Sequence, residues 1–335
     1  MNSIAVVILN WNGRELLEKF LPVVIKYSPG AAIYVADNAS TDDSVAFVQS
    51  NYPEARIINN RDNYGYAGGY NRALQHVEED IYVLLNSDIE VTENWLAPIL
   101  DLFDKDATTA IVQPKILDYY KRNTFEYAGA AGGFIDKYGY PFCRGRIFDT
   151  IETDNGQYNN ETEIFWASGA CFFIRKEVFD NLGGFDEDFF AHQEEIDLCW
   201  RAFNHNFKTC FCPTSLVYHV GGATLQNSSP KKTFLNFRNS LWMLVKNVPA
   251  SMLFSVLFMR LIFDGAAGMR FLVKGRFSHF VAVLKAHLYF YFTFFKMLKK
   301  RESKQYKNFY KISSIVVRYY LRNGKIFANE FNNSL

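Results

Sequence analysis

Cysteine is scarce in this chain of 335 residues, and its use gives no sign of a disulfide framework. There are five cysteines, an odd number, and their spacings do not repeat. Cys210 and Cys212 have one residue between them, whereas zinc and redox pairs usually have two. The first apolar run is too short for a secretory signal sequence. We therefore expect a protein of the reducing cytoplasm.

The sequence also lacks the common phosphate-binding signatures and any long uninterrupted apolar run. Gly65, Gly68 and Gly69 precede a predicted helix, but their spacing matches neither the dinucleotide fingerprint nor the P-loop. The most apolar stretches, residues 252–263 and 280–298, both contain charged residues. Neither offers about 18 clean apolar residues, so the sequence predicts no helix that spans a bilayer.

Acidic residues almost disappear after residue 230. Residues 231–335 hold 19 Lys and Arg against 3 Asp and Glu, whereas residues 1–230 hold 17 against 32. The net charge of +1 therefore conceals an acidic part and a basic part of similar magnitude. We expect two domains, 1–230 and 231–335, that do different physical work.

What is present in the acidic part is an alternation of strand and helix. Apolar residues make up 49% of the chain, enough for a sizeable core. Hydrophobic periodicity predicts strands at residues 4–9, 32–36, 56–59, 81–85, 110–113, 171–175 and 216–220, and helices at 15–26, 43–51, 70–77, 95–103, 177–182 and 194–203. This order predicts an α/β fold with a mostly parallel central sheet flanked by helices. Between residues 114 and 163 the pattern weakens, which favours a surface loop or hairpin.

Asp88 follows the most apolar of these strands, in the turn Asn86-Ser87-Asp88. Open α/β sheets bind ligands at the carboxyl ends of their strands. A single carboxylate there suits Mg²⁺ or Mn²⁺, which prefer one or two carboxylates together with substrate phosphate oxygens and water. The alternative is an Asp that only forms the turn.

Two other loops carry weaker signals. Asp37 ends the second predicted strand and could bind a ribose or a base edge, or could equally form an Asx-turn before the next helix. The glycines at 65–69 could prepare an anion site at a helix N-terminus or simply form tight turns. Arg72 could pair with a phosphate or remain a solvated charge.

A second acidic cluster opens the predicted helix 194–203. Glu194, Asp197 and Arg201 recur at helical spacing, while Glu195 points away from Glu194 by about 100 degrees. Asp197 can therefore belong to an ordinary surface ion pair with Arg201. His219, near the end of the last strand, is either a metal ligand or a core histidine.

Eight short motifs occur in one order along residues 4–222. They are VVILNWNG at 6–13, VADNASTD at 35–42, NYGYAGGYN at 63–71, LNSD at 85–88, SGA at 168–170, GFDE at 184–187, EEIDLCWR at 194–201 and YH at 218–219. As an ordered set they resemble the family 2 inverting glycosyltransferases of the GT-A fold. The resemblance is closest to the bacterial rhamnosyltransferase-like and galactofuranosyltransferase-like branch.

This resemblance implies roles for individual residues. Asp88 resembles the last acid of the D-x-D metal motif, whose first acid is replaced by Asn86, and His219 is similar to a histidine that completes the site for Mn²⁺ or Mg²⁺. Glu195 stands where the family has its catalytic base, usually Asp; Glu194 is the alternative, and Asp197 belongs to the same catalytic cluster. The implied donor-binding residues are Leu9, Asn10, Asn12, Asp37, Asn38, Gly65, Gly69, Arg72, Asn86 and Ser87. The implied acceptor-side residues are Trp166, Ser168 and Gly169.

The basic part is also rich in aromatic residues. Lys274, Lys285, Lys296 and Lys307 recur every eleven residues and would form one stripe on a continuous helix. We expect a helical extension on an anionic membrane surface, at the inner face of the cell membrane. The alternative is a helical subdomain packed on the catalytic domain or on a second subunit. Nucleic acid is not expected, because no base-reading motif accompanies the charge.

Together these features predict a metal-dependent glycosyltransferase. It would move a sugar from a dTDP-, UDP- or GDP-linked donor to a hydroxyl of a glycan or lipid-linked glycan during cell-surface polysaccharide synthesis. Two other classes remain open: a nucleotidyltransferase acting on sugar phosphates, and a non-catalytic glycan-binding scaffold.

Overall fold

The computed structural model describes residues 2–221 and 229–328. Gly222, the last residue of the motif-bearing region, lies outside this description, as do the outermost residues of both predicted domains.

Strands and helices alternate through the first half of the chain, as predicted. The strands are β1 Ile4–Asn10, β2 Ala32–Asp37, β3 Arg56–Asn59, β4 Ile81–Asn86, β5 Ile89–Val91, β6 Thr109–Asp118, β7 Gly133–Ile135, β8 Pro141–Cys143, β9 Arg146–Ile147, β10 Thr150–Ile151, β11 Thr162–Ile164, β12 Cys171–Arg175 and β13 Lys208–His219. The helices are α1 Arg14–Tyr27, α2 Ser44–Asn51, α3 Gly65–Leu74, α4 Ala97–Lys105, α5 Lys176–Asn181, α6 Glu194–Asn204, α7 Pro230–Asn247, α8 Ala250–Val273, α9 Phe277–Leu298 and α10 Ile315–Leu321.

The central sheet is mixed but mostly parallel, which confirms the predicted fold class. Its order is β11-β13-β6-β12-β4-β1-β2-β3, and β5 pairs with β13 outside this path. The pairs β4-β1, β1-β2, β2-β3 and β13-β6 are parallel, while β12, β11 and β5 run antiparallel to their neighbours.

Both faces of the sheet are covered, which explains why its central strands are continuously apolar. Along β1, Ala5 and Val7 pack into one hydrophobic cluster, and Val6 and Ile8 into the other. Side chains of a strand alternate between the two faces, so only an uninterrupted apolar run can satisfy both clusters.

The register of the central strands brings their polar ends together. Asn10 of β1 lies opposite Asp37 of β2, and Leu9 lies opposite Asn86 of β4. The sheet therefore gathers three polar side chains from distant parts of the sequence at one edge, before any loop contributes.

The structure corrects two of the predicted elements. Helix α3 begins at Gly65 rather than near Tyr70, so the glycines predicted as a loop are its first turns. The segment expected to be a surface loop or hairpin instead folds as the small sheet β10-β9-β8-β7. Phe125, Phe134 and Phe142 are buried there. The aromatic residues of this segment are spaced irregularly, so no periodicity reveals them as core.

The C-terminal part is a helical extension packed against α6 and the connection between β7 and β8, and its lysines do not form the predicted stripe. Lys274 follows α8, Lys285 and Lys296 belong to α9, and Lys307 lies in a turn. The break at Gly275 reverses the chain. Lys296 pairs with Asp188 of the catalytic part at 2.7 Å.

Buried ion pairs join the extension to α6. The Lys246 Nζ atom lies 2.8 Å from both Asp197 Oδ2 and Asp186 Oδ2, and all three side chains are nearly or fully buried. Asn247 donates a hydrogen bond to the other Asp197 oxygen at 2.8 Å. Part of the opposite charge in the two halves of the sequence is therefore neutralised within the molecule.

Helices α8 and α9 are each long and apolar enough to cross a membrane, by length and composition alone. Two of the side chains that interrupt their apolar sequences turn inward, because Arg260 and His287 both contact the fully buried Asp264, whereas Lys285 is exposed. Only 22% and 28% of their most apolar windows are buried, and Phe254 and Phe292 are 84% and 87% exposed. The hairpin of α8 and α9 thus presents an apolar outer surface.

Candidate active site

His219 lies between two carboxylates. Its Nε2 atom is 3.1 Å from Asp88 Oδ1, and its Nδ1 atom is 3.2 Å from Glu126 Oε1. The pairing of β5 with β13 sets His219 opposite Ile89, next to Asp88 in sequence, which explains the contact. All three side chains are buried.

The electrostatics of this group favour a cationic imidazole. Burial by itself lowers the pKa of His219, but the charges of Glu126 and Asp88 raise it to about 10. Burial raises the pKa of Asp88, but the hydrogen bond and charge of His219 outweigh it, and the pKa of Asp88 is lowered. Positive charge is therefore stabilised between Asp88 and Glu126.

The donor set fits a divalent cation once the imidazole has released its proton, because a histidine binds a metal in its neutral form. An aspartate oxygen and an imidazole nitrogen face one another, and Glu126 contacts the second imidazole nitrogen, as carboxylates commonly do behind metal-bound histidines. Within residues 2–221 and 229–328 no group of three or more His, Cys, Asp or Glu side chains forms a complete metal cage. Substrate oxygens and water would have to supply the remaining ligands, which is the usual arrangement for Mg²⁺.

Asn10 and Asp37 meet at the edge of the sheet. Asn10 Nδ2 donates to Asp37 Oδ1 at 3.0 Å, and the Ser40 amide donates to Asp37 Oδ2 at 2.9 Å. The second contact confirms that Asp37 forms a local turn. Asn10 Oδ1 is buried and has no hydrogen-bond partner within the described chain. An unpaired buried acceptor is costly, so this oxygen is a candidate contact for a ligand donor.

Asn12 and Asn38 hold the loops around this edge. Asn12 Oδ1 accepts a hydrogen bond from the Thr41 amide at 2.7 Å, and Asn38 Nδ2 donates to the Gly65 carbonyl at 3.0 Å. A Cβ atom on Gly69 would come within 3.0 Å of Leu9 Cδ1, so this glycine allows α3 to pack closely on β1. These predicted donor residues thus lie at the sheet edge with structural contacts of their own.

Gly65 and Arg72 differ from their predicted roles. The amides of Tyr66 and Ala67, at the start of α3, donate to the Phe190 carbonyl, so this helix terminus is already occupied by protein. Arg72 pairs with Glu187 at 2.9 Å and stacks over a tyrosine ring instead of pointing at the sheet edge. We therefore assign both residues to packing and loop fixation.

Ser87 and Asn86 stay close to the candidate cation site. A Cβ atom on Gly13 would lie 2.5 Å from Asn10 Oδ1 and 3.5 Å from Ser87 Oγ, so the absence of a side chain at Gly13 leaves these groups room to approach. The Asn86 amide donates to the Ala170 carbonyl at 3.0 Å, which brings the SGA motif to the end of β4.

Glu194 and Glu195 begin α6 in an apolar environment. Glu194 is 4% exposed and Glu195 is partly exposed, and Oε2 of each has no hydrogen-bond partner among the described residues. Burial raises the pKa of both carboxyls, and the charge of Glu195 raises that of Glu194 further. Two neighbouring acids with elevated pKa values can share and transfer a proton near neutral pH.

Asp197 does not take part in that arrangement, contrary to the predicted catalytic role. It is fully buried, and its oxygens bind Arg201, Lys246 and Asn247. The predicted ion pair with Arg201 is confirmed, but it is buried rather than at the surface. Asp197 cannot reach a substrate through these partners, and we assign it a positioning role.

Unpartnered polar atoms concentrate just before and within the first turn of α6. Four consecutive residues each have one buried polar atom without a partner in the described chain: His192 Nε2, Gln193 Oε1, Glu194 Oε2 and Glu195 Oε2. Buried polar groups are normally paired, so such a cluster favours a site where hydroxyl groups of a ligand bind. Neither His192 nor Gln193 carries a sequence signal that singles it out.

The predicted acceptor-side residues divide into two sets. Trp166 and Ser168 are buried: the Trp166 indole donates to the Phe134 carbonyl, and the Ser168 amide donates to Gln113. Their side chains therefore belong to the core rather than to an acceptor site. Gly169 is partly exposed, and its carbonyl accepts a hydrogen bond from Tyr66 Oη at 2.8 Å.

Lys232 and Tyr66 connect the surroundings of the candidate cation site with those of the acidic cluster. Lys232, near the start of α7, interacts electrostatically with Glu126 on one side and with His192 on the other. Burial raises the pKa of Tyr66 well above its usual value of 10, and the negative charges of Glu194 and Glu195 raise it further. Because Tyr66 also binds Gly169, beside the end of β4, Tyr66 links the end of that strand to the first turn of α6.

Comparison with known proteins identifies a family. The family model described as Glycosyl transferase family 2 matches residues 5–183. The N-acetylglucosaminyl-diphospho-decaprenol L-rhamnosyltransferase of Mycobacterium tuberculosis is 25% identical over 232 residues, which cover 59% of this chain and 75% of the relative. The low-salt glycan biosynthesis hexosyltransferase Agl10 of Haloferax volcanii is 21% identical over 244 residues, covering 71% and 74%.

Solved structures share the fold. GalNAc-T7, crystallised with UDP, GalNAc and Mn²⁺, superimposes with a TM-score of 0.58 at 19% identity, over 75% of this chain and 49% of that one. The mannosyltransferase PcManGT from Pyrobaculum calidifontis, in complex with GDP-Man and Mn²⁺, gives a TM-score of 0.53 at 14% identity, over 89% and 84%. At these identities the likeness concerns the fold.

Replacement of Glu194 by Gln should stabilise the protein in a pH-dependent way. A carboxyl whose pKa is raised by folding destabilises the native state only where it is ionised when unfolded, above about pH 4.3. Glu194→Gln should therefore raise the free energy of unfolding by about 0.5–2 kcal/mol at pH 8 and by less at pH 5. Urea unfolding at both pH values measures this. Glu54→Gln, at an exposed site, is the control, and an equal gain at both pH values would contradict the expectation.

Proposed function

The chain belongs to glycosyltransferase family 2, and we propose that it is a metal-dependent, inverting member of that family. Its acceptor would be a hydroxyl of a glycan or a lipid-linked glycan. Membership makes it a glycosyltransferase with nucleotide-sugar donors, so the nucleotidyltransferase and the non-catalytic scaffold are set aside. The observation that carries the proposal is that the chain holds two different acidic groups, Asp88 paired with His219 and two glutamates with unpaired oxygens at the start of α6.

Support for metal dependence comes from Asp88, His219 and Glu126. Asp88 and His219 would hold Mn²⁺ or Mg²⁺, which neutralises the negative charge that develops on the departing diphosphate. Glu126 would fix the imidazole orientation through Nδ1. GalNAc-T7 and PcManGT, which share the fold, were both solved with Mn²⁺.

Donor recognition is proposed at the edge formed by β1, β2 and β4. Asn10 offers a buried unpaired oxygen there, and Asp37 has carboxylate lone pairs beyond those already used. These groups suit the hydroxyl and amide donors of a nucleoside. Asn12, Asn38, Asn86 and Ser87 complete the proposed donor edge. The nucleoside would be uracil, thymine or guanine based.

Glu195 is the proposed general base. Both glutamates are buried enough to resist ionisation, but Glu194 is the more enclosed and is also opposed by the charge of Glu195. Glu194 therefore keeps its proton to higher pH than Glu195, which leaves Glu195 as the carboxylate able to accept a proton.

In the proposed reaction Glu195 removes the proton of the acceptor hydroxyl. The acceptor oxygen forms a bond to the anomeric carbon while the bond from that carbon to the diphosphate breaks, and the electron pair leaves with the nucleoside diphosphate. Attack on the face opposite the leaving group inverts the anomeric centre. His192 and Gln193, with their unpaired atoms, would orient the acceptor.

Removal of the base should separate binding from turnover. Glu195→Gln keeps the size of the side chain but cannot accept the proton, so turnover should fall by about 10²–10⁴-fold while the dissociation constant of the nucleotide stays within about twofold. The donor is first chosen by thermal shift with Mn²⁺ and a panel of UDP-, dTDP- and GDP-sugars. Glu194→Gln is the matched control. If Glu194→Gln has no detectable turnover and Glu195→Gln retains wild-type turnover, the base has been assigned to the wrong residue.

Loss of the proposed cation ligands should abolish metal-linked donor binding. Asp88→Ala and His219→Ala should each weaken Mn²⁺-dependent binding of the nucleoside diphosphate by at least about tenfold, because each removes one of two protein ligands. Titration calorimetry with and without Mn²⁺ measures the difference. Asp101→Ala, a variant of an exposed aspartate on α4, serves as control. Unchanged Mn²⁺ dependence in both ligand variants would refute the metal assignment.

We also propose that residues 231–335 attach the enzyme to the inner face of an anionic membrane, with the domain boundary near residue 230. Residues 250–300 contain eight Lys and Arg and one acid, Asp264, which is buried. Lys274, Arg276 and Lys285 have no ion-pair partner in the described chain, and each can contribute about 1 kcal/mol near an anionic surface. Exposed Phe and Leu side chains of α8 and α9 lie beside them. A groove of about 380 Å³ between these helices adds to the apolar surface.

Co-sedimentation with vesicles tests this attachment. The full chain should pellet with phosphatidylglycerol-containing vesicles at low salt and less with phosphatidylcholine alone, because both charge and apolar area contribute. Serine in place of Phe254, Phe292 and Phe295 together should reduce the bound fraction about tenfold or more. Tyr120→Ser, at an exposed site of the catalytic part, is the control. Retention of wild-type protein in the supernatant with anionic vesicles would eliminate the membrane proposal.

A further inference from the structure

The segment that leads into the acidic cluster has an unusual backbone. Phe190, His192 and Gln193 have φ angles of 65°, 71° and 74°, although none is glycine. Left-handed backbone is unfavourable for residues with a Cβ atom, and such residues persist only where surrounding contacts hold them. Gln193 is the residue directly before α6, so its conformation sets the direction in which Glu194 and Glu195 leave the loop.

One side chain of the C-terminal extension provides those contacts. Asn239, in the middle of α7, is fully buried, and its Nδ2 atom lies 3.0, 2.9 and 2.7 Å from the carbonyl oxygens of Phe189, Ala191 and His192. A primary amide has two N–H donors, so one is shared between two carbonyls. Three carbonyl groups of the loop backbone are therefore fixed by a single side-chain amide.

The orientation of that amide is itself fixed. Arg238 Nε donates to Asn239 Oδ1 at 2.9 Å, and Arg238 also binds the carbonyls of Asp188 and Phe189 through its Nη2 atom. Since the guanidinium has no acceptor, the Asn239 oxygen must face it and the amino group must face the loop. The neighbouring arginine thus enforces the geometry that the three carbonyls require.

The other side of the loop rests on α3. The amide of Tyr66 donates to the Phe190 carbonyl at 2.8 Å, and a Cβ atom on Gly65 would come within 2.4 Å of the same oxygen. The loop is consequently held between a helix of the catalytic sheet and a helix of the extension. Lys246 and Asn247, two helical turns after Asn239, bind the first turn of α6 through hydrogen bonds to Asp197.

We propose that Asn239 is a positioning residue for the transfer reaction: its amide holds the Phe189–Gln193 backbone in the conformation that directs Glu195 toward the acceptor site. The inference rests on the proposed function in taking Glu195 as the base. It makes α7 a working part of the catalytic apparatus, although the family match ends at residue 183. Asn239 itself touches neither donor nor acceptor.

Three variants separate positioning from simple packing. Asn239→Asp preserves size but presents an anion without donors to three carbonyls, Asn239→Ala removes the group, and Asn239→Gln retains the two donors. The control is Asn236→Ala, on the same helix one turn earlier, whose side chain makes no hydrogen bond within the described chain. For Asn239→Ala and Asn239→Asp we expect kcat to fall at least about tenfold, with nucleoside diphosphate affinity and donor KM within about twofold of wild type.

Two further readouts distinguish a shifted loop from general destabilisation. The acid limb of the kcat profile should move toward the range of an ordinary glutamate, because a loosened loop lets water reach Glu195. Amide hydrogen exchange should increase in residues 189–197 and at the start of α3, and not in β1 or β4. Asn239→Gln should recover part of the turnover and of the protection.

The outcomes are distinct. Wild-type kcat in folded Asn239→Ala, or equal losses of turnover and nucleotide affinity in step with a lower Tm, would overturn the positioning role. If Asn239→Ala does not fold, Asn239→Gln decides: with its donors displaced by one methylene, it should lower kcat and leave nucleotide affinity unchanged, and full turnover would refute the proposal. If the wild-type chain transfers sugar from no donor, the proposed function fails, while unchanged exchange in residues 189–197 of the Asn239 variants would separately refute the clamp.

Discussion

The buried contact between Lys246 and Asp197 is the constraint on which the two parts of the chain depend. Both side chains are removed from water, and the pair is supported by Arg201, Asn247 and Asp186. Removal of one member of such a group leaves an uncompensated buried charge, which typically costs about 3–5 kcal/mol. The contact joins the extension to the first turn of α6, so the helix that carries the acidic cluster is anchored from outside the catalytic sheet.

This anchoring changes the meaning of the charge division in the sequence. The acidic part and the basic part do not simply seek different partners, because Lys246, Lys296 and Lys300 neutralise Asp186, Asp188 and Asp197 within the molecule. Lys274, Arg276 and Lys285, at and near the turn between α8 and α9, are among the extension cations without an ion-pair partner in the described chain. Both alternatives weighed for the extension are thus relevant to it: it packs on the catalytic part, and its outer face carries the features proposed for a membrane.

The region between the sheet edge and α6 combines opposite electrostatic environments. Asp88 is stabilised as an anion by His219, whereas Glu194 and Glu195 are held in surroundings that resist ionisation. A permanently charged carboxylate suits a cation, and a carboxylate with an elevated pKa suits proton transfer. The difference arises because Asp88 has a cationic partner, whereas Glu194 and Glu195 have none among residues 2–221 and 229–328.

The sequence by itself determined the α/β order and the positions of Asp37 and Asp88 after the ends of strands, because strand periodicity and position after a strand are local properties. Helical spacing also revealed the pairing of Asp197 with Arg201. The burial of that pair, the role of Glu126 behind His219, and the clamp of Asn239 on the loop before α6 were decided only by the tertiary structure. Each of these contacts joins residues far apart in sequence, and neither hydrophobic periodicity nor a motif predicts which distant residues come into contact. For the same reason the motif did not reveal that Trp166 and Ser168 are buried. A motif gives the order of residues, whereas burial depends on which other elements pack against them.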